Sequence, residues 1–345
     1  MLILPAEEED IWRIYNVVNR KFLNLNLFVP HDTRLGGSSE GWLLTVNEDY
    51  GITLYRPIFI VEEGKISRNK IIHLPPLFPP NPIRDDDIET RGTYVRKFTI
   101  FTVDLVGNPD DLTIIVIYGE YRQLVFIRPA KDNKWTCITD THIPFDDVVY
   151  YNNQFYAITM KGKVLSFNVT NVTNLNIKVI TEEIPKDDEE KEFLGSRSLV
   201  ESRGELLMVE RYWYVFDTGD CENSEDCEDC EDSFDRFTVK FKIYKLSLNG
   251  PRWIEIKNLG DVALFLGDNS SLSIIASNFD GCLSNCIYFT HDDDTTGYGP
   301  LGPCDLGIYS VARGLFNWNH SMNSNAIAEM FERPPIWLVP KINVF

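Results

Sequence analysis

The chain has 345 residues, 43% of them hydrophobic and 25% charged, with a formal net charge of −19. That is enough apolar material for a full core, and no run of 18 or more apolar residues offers a membrane-spanning helix. A basic footprint is missing, which argues against general nucleic-acid affinity.

The first residues, MLILPAEEEDIW, have no basic n-region and only four apolar residues before Pro5. A secretory signal or membrane anchor is therefore not expected, and the chain is assigned to the cytoplasm and/or nucleus. From there, short apolar runs bounded by Gly, Asn, Asp and Pro recur to the other terminus, and each reads as strand. In chain order they are 11–15, 22–28, 41–46, 58–61, 95–103, 112–118, 124–128, 135–138, 148–151, 155–158 and 164–167. They continue with 206–209, 237–246, 253–256, 262–266, 272–276, 286–289, 307–311 and 336–339.

Two units are especially legible. In Asp147 to Phe167, Asn152-Asn153 and Met160-Lys161-Gly162 join three runs into a meander, and Ser198 to Phe216 turns at Arg203-Gly204. About two dozen such runs are too many for one sandwich, and no linker halves the chain. The expected fold is all-β, one domain over residues 1–345: a β-propeller of about six four-stranded blades, with seven as the alternative. No strict 40-residue period is present. The Pro-rich stretch His73 to Arg84 fits an inter-blade connection. Leu259 to Thr290 reads as one blade-like sheet, its three runs separated by Gly-Asp-Asn and Asn-Phe-Asp-Gly-Cys turns. Closure of the ring predicts that 336–339 lies beside 11–15 or 22–28.

The acidity is local. Residues 182–192 hold seven acids against Lys186 and Lys191, and 217–235 hold ten acids and no base, so these two stretches carry −15 of the −19. Both read as solvated loops projecting from one blade region.

Candidate chemistry is sparse. Cys221, Cys227 and Cys230 have C-x5-C-x2-C spacing, but three thiols make an incomplete zinc set, with Cys282 or Cys286 as the nearest fourth ligand, and an acidic loop containing cysteine is preferred. Seven cysteines are too few and too odd for a disulfide scaffold, so Cys282 and Cys286 read as packed thiols, with Cys137 in a strand-like run. His31, His73, His142, His291 and His320 are scattered, and no G-x-S-x-G is present. Gly36-Gly37-Ser38-Ser39 and Gly297 to Gly302 are small-residue loops without the Lys-Ser/Thr of a phosphate loop. Asp85-Asp86-Asp87 and Asp292-Asp293-Asp294 read as solvated loop tips. No catalytic, cofactor-binding or metal-binding residue is assigned. Tyr212-Trp213-Tyr214, beside the longer acidic stretch, reads as inter-blade core or, where exposed, as an interface anchor.

The order of motifs carries a resemblance. LILP at Leu2 to Pro5 is followed by Arg13-Ile14-Tyr15, GSSEGWLLTV at Gly37 to Val46 and IIHLPPL at Ile71 to Leu77. Asp147 to Val164, Leu199 to Arg211, Phe241 to Asp261, Leu259 to Thr290 and PPIWLVP at Pro334 to Pro340 complete it. Together they resemble the plant KIB-type β-propeller domain common in F-box proteins. The resemblance implies a propeller and a plant source. Family members typically carry an F-box ahead of the propeller, which docks the adaptor of an SCF-type ubiquitin ligase while the propeller captures a target, and some act on shaggy-type kinases.

Met1 falls almost where the propeller begins, so the expectation here is a chain without the F-box, to which the adaptor contact is not carried over. The function expected is non-enzymatic protein binding. The partner is an unidentified protein, with kinases or ubiquitination substrates implied by the resemblance. The rivals are an SCF-type substrate-recognition subunit whose F-box is supplied elsewhere and a propeller-channel enzyme.

Overall fold

The computed structural model describes residues 2–5, 11–16, 21–26, 29–30, 34–47, 51–56, 70–77, 95–102, 112–119, 121–139, 143–170, 175–183, 194–217, 234–247, 249–267, 271–290, 305–316 and 336–337. Runs rich in Val, Ile, Leu, Phe and Tyr favour pleated, buried surfaces, and they form six sheets among these residues. The first sheet holds β1 (Leu2–Pro5), β2 (Ile11–Asn16) and β3 (Lys21–Asn26). The second holds β4 (Arg34–Ser39), β5 (Trp42–Val46), β6 (Ile52–Arg56) and β7 (Lys70–Leu74). In the third are β8 (Val95–Thr102), β9 (Leu112–Tyr118), β10 (Gln123–Ile127) and β11 (Thr136–Cys137).

The fourth comprises β12 (Phe145–Tyr151), β13 (Gln154–Thr159), β14 (Val164–Phe167) and β15 (Lys178–Thr181). The fifth comprises β16 (Leu194–Ser202), β17 (Glu205–Asp217), β18 (Phe234–Ser247) and β19 (Arg252–Ile256). The sixth has five strands, β20 (Val262–Leu266), β21 (Leu272–Ile275), β22 (Cys286–Phe289), β23 (Gly307–Ser310) and β24 (Leu315–Phe316). A last strand, β25 (Ile336–Trp337), returns to the first sheet and pairs antiparallel with β1, Ile3 opposite Ile336.

This is an all-β propeller. The edge strands β25, β4, β8, β12, β16 and β21 contact one another in that order, so they encircle the axis. Buried clusters fill the joints between successive sheets. Trp42 and Leu44 pack with Phe98 and Ile114, Phe126 with Phe155, Ile158 with Met208, Val209 with Leu264, and Phe265 with Trp337. The predicted closure holds, because β25 shares a sheet with β2 and β3.

The expected count of six or seven four-stranded blades is corrected to five. The remaining sheet differs because β21 turns to the inside before the chain crosses over, so β20 lies between β21 and β22 and pairs with β22 in parallel. Leu259 to Thr290 does supply three strands of one sheet, but Ala276 begins a 3-10 turn instead of ending a strand. The stretch 58–61 lies outside the described residues, as do most of the connections flanking the strands.

Strand β4 corrects a second expectation, since Gly36-Gly37-Ser38-Ser39 is an inner strand and not a loop. A Cβ on Gly36 would sit 2.7 Å from Leu44 Cδ2 and 3.3 Å from Val95 Cγ1, so close packing requires glycine there. Four inner strands share a further device. The register shifts by one residue near the start of β4, β8, β12 and β16, leaving Gly36, Arg96, Asp146 and Gly195 as the inserted residues. Bulges of this kind re-aim side chains and bend the strand.

Candidate interaction site at the entry end of the fifth sheet

Successive strands of the fifth sheet are antiparallel, so the start of β16, the end of β17 and the start of β18 lie at one end, here called the entry end. Both acid-rich stretches are bounded there, one by β15 and β16 and the other by β17 and β18. Glu182 and Glu183 lie 3.8 Å from Lys163 and Lys161, while Asp217 and Asp235 belong to the strands β17 and β18. Residues 184–193 and 218–233 are outside the described set.

An unpaired edge strand exposes N–H groups that need acceptors. Here the bulge in β12 turns two successive carboxylates toward β16: Asp146 accepts the backbone N–H of Arg197, and Asp147 Oδ2 accepts that of Leu199 at 2.8 Å. Asp147 also accepts from Ser271 Oγ at 3.0 Å and from the N–H of Val148 at 2.8 Å, tying together the fourth, fifth and sixth sheets. Asp146 accepts from Arg122 Nη1 at 2.5 Å. Burial is the leading cause that pushes both carboxyls above the ordinary carboxylate range, against the pull of Arg122 on Asp146 and of Lys97 on Asp147. Lys97 itself donates to the carbonyl of Gly267.

Two buried ion pairs continue the framework outward. Arg197 Nε donates to Glu210 Oε1 at 3.0 Å and its Nη1 to the carbonyl of Met160 at 2.6 Å, while Tyr212 Oη donates to Glu210 Oε2 at 2.8 Å. Arg211 Nη2 meets Asp305 Oδ2 at 2.8 Å, its Nη1 the carbonyl of Thr290 at 2.8 Å and its Nε the hydroxyl of Thr238 at 2.7 Å. Thr238 closes the loop by donating its N–H and Oγ1–H to the two Asp305 oxygens. Above this clamp the Arg211 guanidinium lies 5.0 Å from the Phe289 ring centre.

The pair β17 and β18 outruns its sheet. Beyond Tyr212, which faces Leu194, β17 pairs only with β18 among the described residues. A two-stranded ribbon is marginal alone in water, and this one is seated by Trp213 against Gly195. A Cβ on Gly195 would fall 2.1 Å from the indole, so the bulge glycine makes room for it. Farther out, Tyr214 stands opposite Phe237 with ring centres 5.6 Å apart, and the two are 45% and 46% exposed beside exposed Val239. The Tyr212-Trp213-Tyr214 triplet thus divides: Tyr212 is buried core, Trp213 the joint and Tyr214 an outward-facing surface.

The other sequence candidates are not brought together. Cys137 is exposed on β11, while Cys282 and Cys286 are thiols without a bridge in the core between the sixth and first sheets. Burial pushes Cys286 up to about 11, an unreactive thiol. His73 is exposed on β7, its Nδ1 3.2 Å from Thr53 Oγ1. Cys221, Cys227, Cys230, His31, His142, His291, His320, Asp85 to Asp87, Asp292 to Asp294 and Gly297 to Gly302 lie outside the described residues. Sequence reasoning missed Asp146, Asp147, Arg197, Glu210, Arg211 and Asp305. The available signal was charge inside apolar runs, as in LLMVERYWYVF.

Comparison with known proteins supplies the remaining context. A sequence model described as the KIB1-4 beta-propeller matches residues 14–310. The chain is 25% identical over 331 residues to the F-box protein SKIP23 of Arabidopsis thaliana, covering 90% of this chain and 77% of that protein. It is 26% identical to the F-box protein At2g17036 of the same plant, covering 97% and 82%. A third relative, the putative F-box protein At3g25750 of Arabidopsis thaliana, is 28% identical over 58% of this chain and 48% of its own length.

Proposed function

The chain belongs to the KIB1-4 β-propeller family, and on that premise we propose that it is a non-enzymatic protein-binding module that offers the entry end of its fifth sheet to a protein target. The observation that carries this reading is the Tyr214–Phe237 pair, apolar and outward-facing on a ribbon fixed from below by buried ion pairs. Aromatic anchors on a rigid support are what interfaces use, because little conformational entropy is lost on docking. The inner charged groups serve structure: Asp146, Asp147, Glu210 and Asp305 are each held by backbone N–H groups, a hydroxyl or an arginine.

Proximity labelling in plant cells tests the reading. The intact chain should mark a reproducible set of proteins in the cytoplasm and/or nucleus, and Tyr214→Ser with Phe237→Ser should remove its leading members. Identical sets from both proteins would reject this surface. A second reading, a substrate-recognition subunit of an SCF-type ubiquitin ligase, is favoured by the relatives being F-box proteins. Robust direct binding of the purified ligase adaptor by residues 1–345 would support it over the first.

A further inference from the structure

Opposite the entry end, where β8 and β12 finish, a groove of about 170 Å³ opens between the third and fourth sheets. Its wall is aromatic. Phe101 stacks on Tyr150 with ring centres 3.8 Å apart, and Phe155 meets Tyr150 edge-on at 4.9 Å. The volume is close to the ~150 Å³ of a void that accommodates benzene.

Among the described residues the rim is polar with an excess of donors. Arg128 is spent, since Nε and Nη2 grip both oxygens of Asp132 at 2.8 and 2.7 Å while Nη1 donates to the carbonyls of Val169 and Thr170 at 3.2 Å each. Those same bonds occupy the nearby carboxylate and carbonyl acceptors. Asn168 Oδ1 is likewise taken by the N–H of Thr170 at 2.9 Å. Asn168, Asn153 and the exposed Lys131 also line the groove, and within the described residues the Asn168 amide nitrogen, the Asn153 side chain and the Lys131 ammonium make no hydrogen bond. Asn152 and Asn153, with φ of 47° and 61°, form the tight β12–β13 turn that holds Asn153 at the rim.

An apolar slot with donors and a cation at its mouth is complementary to an apolar ring followed by carboxylates. We infer that this groove receives a short segment of a protein partner in which an aromatic residue precedes Asp or Glu, the ring against Phe101 and Tyr150 and the carboxylate at Lys131, Asn153 and Asn168. The inference rests on the protein-binding reading above and adds a second, chemically opposite contact surface to it.

The test is fluorescence anisotropy with the full chain and three labelled twelve-residue Gly/Ser peptides centred on Phe-Asp-Glu, Phe-Lys-Lys or Ala-Asp-Glu. Saturable binding is expected for Phe-Asp-Glu alone. Lys131→Glu should weaken it by about fivefold or more, the scale of reversing one solvated ion pair. Asn153→Gly removes an amide without straining the positive φ, and it should weaken the same peptide while leaving the near-ultraviolet circular dichroism unchanged. Equal binding of Phe-Lys-Lys, no saturable binding, or indifference to both variants would overturn the groove. Tight binding of benzoate with no peptide binding would also overturn it, making the site one for small aromatic acids. Proximity labelling separates the two claims. A target set unchanged in the Lys131→Glu, Asn153→Gly chain rejects the groove alone, whereas no target set from the intact chain rejects protein binding itself.

Discussion

At the entry end of the joint between the fourth and fifth sheets, the buried side chains of Asp146 and Asp147 accept N–H groups of β16. At the exit end of the neighbouring joint, Phe101 lies over Tyr150 at 3.8 Å and the paired charges Arg128 and Asp132 remain partly exposed. Inner strands begin with a bulge and leave an edge whose donors need oriented acceptors, so charge is drawn into the entry end. At their far ends Phe101, Tyr150 and Phe155 fill the joint with stacked and edge-on rings, which need no charged partner. One end is therefore intolerant of lost charge, and the other can yield space to a ligand.

The sharpest way to break this contrast is to remove a buried carboxylate. Asp305→Ala removes the carboxylate paired with buried Arg211, and stability should fall by about 3–5 kcal/mol, read from urea unfolding. Replacing the pair together, Arg211→Met with Asp305→Leu, should recover much of that loss, because both desolvated charges are gone. A single-variant loss under about 1 kcal/mol would mean that the clamp behaves like a surface pair and that the two ends do not differ in kind.

Gly195→Val probes the seat of the projecting ribbon. A Cβ there would lie 2.1 Å from Trp213, so the indole must move and the ribbon with it. Overpacking of this sort costs about 1–3 kcal/mol. Near-ultraviolet circular dichroism should change, and labelling through Tyr214 and Phe237 should weaken. Unchanged spectra and stability would show that Trp213 is not what seats the ribbon.

Titration distinguishes the ends by sign. Burial raises Asp147, so the folded protein holds that proton more tightly than the unfolded chain does. The stability this contributes is complete below the ordinary carboxylate value and is lost as pH rises through the raised one. Asp132 is lowered, chiefly by its hydrogen bond from Arg128, so its contribution is present above the ordinary value and is lost as pH falls. Against wild type, Asp147→Asn should gain ground as pH rises above about 4, and Asp132→Asn should be hurt least in acid. Either slope is bounded by about 1.4 kcal/mol per pH unit for one proton. Slopes of the same sign would contradict the assignment.

Much of this architecture could be read from residues alone, and the failures have physical reasons. Apolar runs such as LTIIVIY at Leu112–Tyr118 announce strands because both faces are buried between sheets. Arg34–Ser39 does not, since an inner strand with no room for a Cβ at Gly36, which would fall 2.7 Å from Leu44, is built from Gly and Ser, the residues of loops. The parallel pairing of β20 with β22 is set by which strand reaches the axis, a tertiary choice invisible to period and turn chemistry. At the candidate site, Tyr212-Trp213-Tyr214 was legible as a cluster, but its division into core, joint and surface depends on where the pairing of β16 begins, at Leu194 opposite Tyr212. The Arg211–Asp305 pair spans 94 residues of sequence, and no local pattern announces such a partner.

The smallest effect is expected where a charge pair lies outside both ends. Lys245 on β18 and Glu205 on β17 form a salt bridge with side chains 40% and 45% exposed. Water already solvates both groups, and two flexible side chains must be ordered to meet. The net contribution should be about 0–1 kcal/mol and should shrink with added salt. Lys245→Met should therefore shift the urea midpoint barely, and less at high ionic strength, where salt already screens the pair in wild type, than at low. A loss comparable to that of Asp305→Ala would show that exposure does not set the worth of these pairs. The contrast between buried entry-end charges and solvated ones would then have to be abandoned.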